Sequence, residues 1–282
     1  MKKSMSRREF IAGLGAAAGL AVLAGCGSTG GNKAATTGAA TTAVATSEGA
    51  ADLKLVSAGK LTIGTSPDFP PFENMENGEY VGLDIELAKD IAEKMGLEVE
   101  YKTLQFDAIV PAVAAGGQVD LGISGITIEP DRQEQVDFSD SYYVDDQCIV
   151  VMKSNTTVTA DDQSALNAAG VTIAVQSGTT GESYAQENFP NATTQPYGNA
   201  TDCFAAMQAG QAQAVITNKA VGNQMVADAY KEAQVIKEIA TGEEYAVAVS
   251  KDNAALLAAV NDAIKALEDD GTLDNLVKKY LG

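Results

Sequence analysis

Apolar and polar positions along this chain switch between a period of two and a period near 3.6, and the switches mark out strands and helices. Residues 60–66 alternate as a strand does, whereas Leu83, Leu87, Ala88, Ile91 and Met95 share one helical face that ends at Gly96. A strand at 98–103, a helix at about 106–115 and a short apolar strand at 119–124 complete a β-α-β-α-β run. The pattern then restarts, with strands at 147–152, 171–176, near Thr193 and at 212–217. Helices are expected at 179–188, at 199–209 and after Asn218. A last strand at 244–250 precedes amphipathic helices at 252–267 and 273–280. Two α/β units are predicted, with the segments at 147–152 and near 239–249 crossing between two lobes. Two crossings make a hinge with a cleft beside it. The loops at 66–72, 124–132, 177–181 and 217–219 all follow strand ends, where open α/β sheets bind ligands.

The N-terminal pattern is of another kind. Lys2, Lys3, Arg7 and Arg8 precede an apolar run at 11–24 that is too short and glycine-rich for a good membrane span, which reads as an export signal. Ser6-Arg7-Arg8-Glu9-Phe10 has the form of a twin-arginine motif, with an ordinary basic leader and the general secretory route as the other reading. Leu23-Ala24-Gly25-Cys26 resembles the lipobox of bacterial lipoproteins, in which the cysteine is acylated and becomes the mature N-terminus. From Gly27 to about Ser57 the chain is Ser, Thr, Gly and Ala with few large apolar residues, as a flexible tether would be.

Charge and composition exclude several chemistries. Removing the four basic residues and Glu9 of the first 25 from totals of 19 and 38 leaves 15 basic and 37 acidic residues, a net of −22. That field opposes nucleic acid and electrostatic adsorption to anionic lipid. The chain has no histidine, and beyond Cys26 only Cys148 and Cys203 remain, so a histidine base, a Cys-His nucleophile and a zinc site are disfavoured. Nothing in the sequence brings the two cysteines together, and two buried free thiols are expected.

The stretch from Gly122 to Arg132 carries the most specific chemistry. Pro130, between Glu129 and Asp131, fits a helix first turn, yet Arg132 places a cation where the helix dipole favours anions. A small anion held by the guanidinium fork, the Thr127 hydroxyl and backbone groups at Gly125 resolves that conflict. An ion pair with a neighbouring acid resolves it equally well.

Several segments taken together carry a family likeness. They are Gly64-Thr65-Ser66-Pro67-Asp68-Phe69-Pro70-Pro71-Phe72-Glu73, Tyr80-Val81-Gly82-Leu83-Asp84, Phe106-Asp107-Ala108-Ile109-Val110-Pro111, Gly125-Ile126-Thr127-Ile128-Glu129-Pro130-Asp131-Arg132, Val136-Asp137-Phe138-Ser139 and Ser177-Gly178-Thr179-Thr180. In this order, over about residues 60–282, they resemble the polar amino acid binding proteins of ABC importers, solute-binding family 3. The resemblance implies an α/β, two-lobed periplasmic-binding-protein-like fold (type II) whose ligand cleft lies between lobes joined by two crossover strands. It divides the chain into a signal peptide at 1–25, a lipidated N-terminus and linker at 26–59, lobe 1 at 60–146 and 241–282, and lobe 2 at 147–240.

Site roles follow from the same resemblance. Arg132 would fork onto a ligand α-carboxylate, Thr127 would reach the substituents of the α-carbon, and the Gly125 carbonyl would accept from an α-ammonium. Thr179 and Thr180 would complete the carboxylate site from a helix start, and Phe69 and Phe106 would wall the ligand's carbon chain. Phe72 is expected in the core and Glu73 in a structural role. Two positions depart from the family pattern. Asn218 stands where many relatives have an aspartate against the ammonium, so either a nearby acid compensates or the ligand is not a standard α-amino acid. On this reading Asn218→Asp is expected to tighten amino acid binding. Ser66 stands where relatives that grip basic or amide side chains often have an acid, and Asp68 is the nearest substitute, with Gln176 a further candidate at the ligand's far end.

The function expected from the resemblance is a non-enzymatic, monomeric receptor without metal or cofactor. It would be anchored through Cys26 at the outer face of the cytoplasmic membrane and would present a polar amino acid or close analogue to a permease and its ATPase. The alternatives are a dehydratase-like enzyme on the same fold, which would need a carboxylate acid such as Asp68 or Glu73, and a sensory module.

Overall fold

The computed structural model describes residues 53–282; the signal at 1–25, Cys26 and the tether up to residue 52 lie outside the described residues. The first sheet takes β1 (Lys60–Thr65), β5 (Glu98–Thr103), β6 (Leu121–Gly122), β7 (Val136–Phe138) and β13 (Ala248–Ser250) in the order β5-β1-β6-β13-β7. β1 runs parallel to β5 and β6, while β13 runs antiparallel to β6 and β7. The second sheet takes β8 (Tyr143–Met152), β9 (Thr172–Gln176), β10 (Thr193–Tyr197), β11 (Ala214–Asn218) and β12 (Ala233–Tyr245) in the order β10-β9-β11-β8-β12. A small antiparallel sheet of β2 (Asp68–Phe69), β3 (Glu73–Glu76) and β4 (Glu79–Val81) hangs beside the first. Each large sheet with its helices forms one lobe.

Helices form where the apolar stripe predicts them. α1 (Leu83–Lys94) buries Leu83, Leu87 and Ile91 completely or nearly so, each contributing about 1.5–3 kcal/mol relative to exposure. α2 (Phe106–Ala115), α7 (Ala254–Asp269) and α8 (Thr272–Leu281) belong to the same lobe; α4 (Thr180–Asn188), α5 (Ala200–Gln208) and α6 (Lys219–Asp228) belong to the other. The four-residue α3 (Pro130–Gln133) carries Pro130 at its start and Arg132 within its turn.

The passage between lobes runs through one antiparallel pair. β8 and β12 are in register from Tyr143 opposite Tyr245 to Met152 opposite Ala233, with irregularities between Val235 and Lys237 and between Ile239 and Glu243. The return strand also pins the loop that follows β6. Thr127 bridges Tyr245, the Ile128 amide donates to the Glu244 carbonyl at 2.9 Å, and the Ala246 amide donates to the Ile126 carbonyl at 3.0 Å.

Four expectations change. The strand expected at 119–124 keeps only Leu121 and Gly122 in the ladder; the Ile123 amide still donates to the Gly64 carbonyl at 3.1 Å before the chain turns at Ser124 into the loop. The strand expected at 244–250 is broken at 246–247, since β12 starts at Ala233 and ends at Tyr245 before β13 joins the first sheet. The small sheet and β7 are additional; strands of two to four residues are too short to show a period. The end of the tether is packed rather than free: Leu53 is buried with its carbonyl accepting from Asn253 Nδ2 at 2.7 Å, and the Val56 amide donates to Asp120 at 2.7 Å. Cys148 and Cys203 are buried free thiols, both pushed upward in pKa, chiefly by burial.

Candidate ligand-binding cleft

The loop between β6 and α3 is built to face the second lobe. Gly125 has φ of +54°, and a Cβ there would come within 3.1 Å of the Phe69 ring, so glycine alone fits the turn. Its amide donates to Asp84 Oδ2 at 2.7 Å, and the Tyr142 hydroxyl donates to the same oxygen at 2.8 Å. Behind Asp84 lies Glu73, wholly buried, accepting from the Ser124 hydroxyl at 2.6 Å. Glu73 Oε2 and Asp84 Oδ1 have no other hydrogen-bond partner. A proton held between the two carboxyls would satisfy both oxygens. Burial, with the neighbouring Asp84 next, drives Glu73 well above the ordinary carboxylate range, and burial raises Asp84 to about 6.

Arg132 projects from α3 into the junction of the lobes and is 9 % exposed. Nη1 donates to the Thr127 carbonyl at 2.8 Å, and Nη2 donates to the Gly178 carbonyl of the opposite lobe at 3.0 Å. Nη2 also lies 3.1 Å from Glu129, so the ion-pair alternative is realised in this structure. The guanidinium carbon sits 5.4 Å from the centroid of Phe106, a cation–π contact. Burial lowers the Arg132 pKa from its ordinary value, against the opposing pull of Glu129 and then Glu243.

Other contacts hold the lobes together around this point. Ser177 donates to Asp107 at 2.9 Å, and a Cβ on Gly178 would fall 2.8 Å from the Asp107 Cβ. Asp68 accepts from Ser66 at 2.9 Å and, across the cleft, from the Ala200 amide at the start of α5. Gln176 Nε2 approaches Asp68 at 3.5 Å. Burial pushes Asp68 up to about 6, against the hydrogen bonds of Ser66 and Ala200.

The remaining candidates converge on a residue that the sequence reading did not single out. Glu243, 8 % exposed, accepts from Thr127 Oγ1 at 2.9 Å, Thr180 Oγ1 at 2.8 Å and Asn218 Nδ2 at 3.0 Å on Oε2. Its Oε1 accepts from Gln147 Nε2 at 2.9 Å and Thr241 Oγ1 at 3.2 Å. The one sequence signal for it is Gly242, a glycine inside a strand, which marks a bulge. Thr127, Thr180 and Asn218 are thus brought together; Arg132 stands beside them with Phe106, and Asp68 with Gln176 forms a second group. Phe69 is buried against Gly125 and Phe72. Thr179 stands apart in one respect: its hydroxyl caps α4 by accepting from the Glu182 amide at 3.2 Å and donates to the Gln176 carbonyl at 2.8 Å.

Comparison with known proteins defines the class. Residues 61–282 match the model of the bacterial extracellular solute-binding proteins, family 3, and the chain belongs to that family. A curated relative is the ABC transporter arginine-binding protein 1 of Escherichia coli (strain K12), 32% identical over 229 residues, covering 79% of this chain and 91% of the relative. An ancestral arginine-binding protein solved with arginine superposes with a TM-score of 0.74 at 37% identity, over 79% of this chain and 99% of that one. An ancestral amino acid-binding protein that is a precursor of cyclohexadienyl dehydratase gives a TM-score of 0.74 at 36% identity, over 79% and 96%. The mixed α/β, two-lobed type II fold is the one these structures share with the chain.

Proposed function

We propose that this protein captures a polar amino acid or close analogue between its lobes, closes on it and presents it to an ABC permease with its ATPase subunits. The observation that carries the reading is the position of Arg132: a buried guanidinium that hydrogen-bonds the loop of its own lobe and a carbonyl of the other. A ligand carboxylate taken up there would touch both lobes, and differential affinity for the closed form is what drives closure. Phe106 under the guanidinium and Phe69 against Gly125 supply apolar walls, and Asp68 with Gln176 places polarity at a second point of the cleft. Two of the relatives above are arginine-binding by name, which puts arginine first among ligands to try.

The wider arrangement follows the same reading. Lobe 1 comprises 60–146 and 241–282 and lobe 2 comprises 147–240; residues 26–59 tether them to an acyl chain on Cys26 at the outer face of the cytoplasmic membrane, and the protein acts as a monomer. An enzymatic role gains no support from the acids. Glu73 has no exposed surface with which to meet a substrate, and Asp68 is held by Ser66 and the start of α5. Isothermal calorimetry with an amino acid panel, run beside Arg132→Ala, tests the proposal. Heat with at least one amino acid, lost in the variant, is expected. Silence across amino acids, opines and small carboxylates would remove the function, and full affinity in the variant would remove Arg132 from it.

A further inference from the structure

An α-amino acid is a zwitterion, so a site that holds its carboxylate must also answer its ammonium. Asn218 occupies the buried position from which an acid could do so and offers only a neutral amide. That amide does not face an empty space. Its Nδ2 donates to Glu243 Oε2, and the Thr127 hydroxyl donates to the same oxygen. Among the described residues no lysine or arginine nitrogen lies within 4.0 Å of the Glu243 carboxylate. Its five hydrogen bonds all come from neutral side chains. A buried acid so arranged has its oxygens satisfied by neutral donors and no cation in contact with it, Arg132 acting on it only from beyond Thr127.

The backbone explains how Glu243 arrives there. Between Ile239, opposite Gln147, and Glu243, opposite Asp145, four steps along β12 match two along β8. The bulge contains Gly242 at φ of +62° and delivers Glu243 beside Thr127 at the point where the chain leaves the second lobe. Thr127 then stands between two charges. Its carbonyl accepts from Arg132 and its hydroxyl donates to Glu243. A zwitterion lying along Thr127 would meet the cation with its carboxylate and the anion with its ammonium.

We propose that Glu243 is the counter-charge for the ligand's α-ammonium, supplied from the crossover strand in place of position 218, so that the site selects α-amino acids over carboxylic acids lacking the amine. This rests on the amino acid reading given above. It also revises the expectation for Asn218→Asp. A second carboxylate at 218 would replace a 3.0 Å hydrogen bond with like-charge repulsion against Glu243, so that variant does not tighten binding.

The test is calorimetry on wild type, Glu243→Gln, Asn218→Asp and the double variant, each with the best α-amino acid and with the same acid lacking its amine. Glu243→Gln is expected to weaken the α-amino acid at least tenfold while the des-amino acid binds no worse, and adding Asn218→Asp is expected to restore most of the loss. Equal weakening of both ligands, or tighter binding of the α-amino acid, overturns the proposal; the latter would make Glu243 a competitor for the ligand's own carboxylate position. If Glu243→Gln does not fold, tighter binding by Asn218→Asp alone overturns it and unchanged or weaker binding supports it. If the wild type binds no amino acid, the amino acid reading fails. If it binds and the variants show no selectivity for the amine, only Glu243's role fails.

Discussion

Glu73 and Asp84 brace the loop that follows β6 from behind. Both are fully buried, yet together they hold the Gly125 amide, the Ser124 hydroxyl and the Tyr142 hydroxyl in place. Their pKa values are raised, so the folded protein binds protons more tightly than the unfolded chain. Their contribution is most favourable at low pH and falls as pH rises from the ordinary 3.8 to about 6 for Asp84, and further for Glu73. Glu73→Gln keeps an acceptor for Ser124 and supplies a permanent N–H toward Asp84. The variant is expected to match or exceed the wild-type melting temperature at pH 7.5, by roughly 2–4 °C per kcal/mol gained, with a flatter decline between pH 5 and 7.5. Thermal melts across that range check it; a marked loss at every pH would mean that no proton is shared. The chain shows these acids as letters among 38 Asp and Glu residues. Only the fold, by removing water from two of them at once, gives them this property.

At the scale of elements, the periodic pattern located the helices and most strands of both lobes, and each misreading has a cause. β6 was overextended because buried loop residues such as Ile123 and Ile126 are as apolar as a strand. β12 begins at Ala233, earlier than the period shows, because its run from Gln234 to Glu244 mixes half-buried, exposed and polar residues with no clean alternation. Just before the α4 cap, Gly178, at φ of +74°, lies against Asp107 at the start of α2. Adding a methyl there obstructs the approach of the lobes and strains the turn by about 1 kcal/mol. Gly178→Ala is expected to weaken ligand binding by about tenfold, about 1.4 kcal/mol, while the unliganded melting temperature moves by only a few degrees. Calorimetry paired with thermal melts separates the two effects, and unchanged affinity would show that closure does not require this contact.

For the whole molecule, the lobes and the leader act at different ranges. Among the described residues the contacts across the cleft named above lie within 60–282, whereas attachment is expected to depend on Cys26 at the far end of the tether. Acyl chains contribute about 0.8 kcal/mol per buried CH₂, and on this reading they supply the membrane affinity that a net charge of −22 opposes at an anionic surface. Cys26→Ser is therefore expected to move the protein from the membrane fraction to the soluble one after cell fractionation, with ligand affinity unchanged. Retention of the variant in membranes would point to another anchor. The sequence by itself determined the two α/β units, the helix faces, the cation that Arg132 places in a helix first turn and the neutral amide at Asn218. These are local properties, written in periodicity and residue type. The tertiary structure alone decided that Arg132 pairs with Glu129 and reaches Gly178, that Glu73 and Asp84 meet, and that Glu243 stands beside Asn218. Those partners are brought together by strand pairing, a bulge and exclusion of water, and none of these is visible in the spacing of letters along the chain.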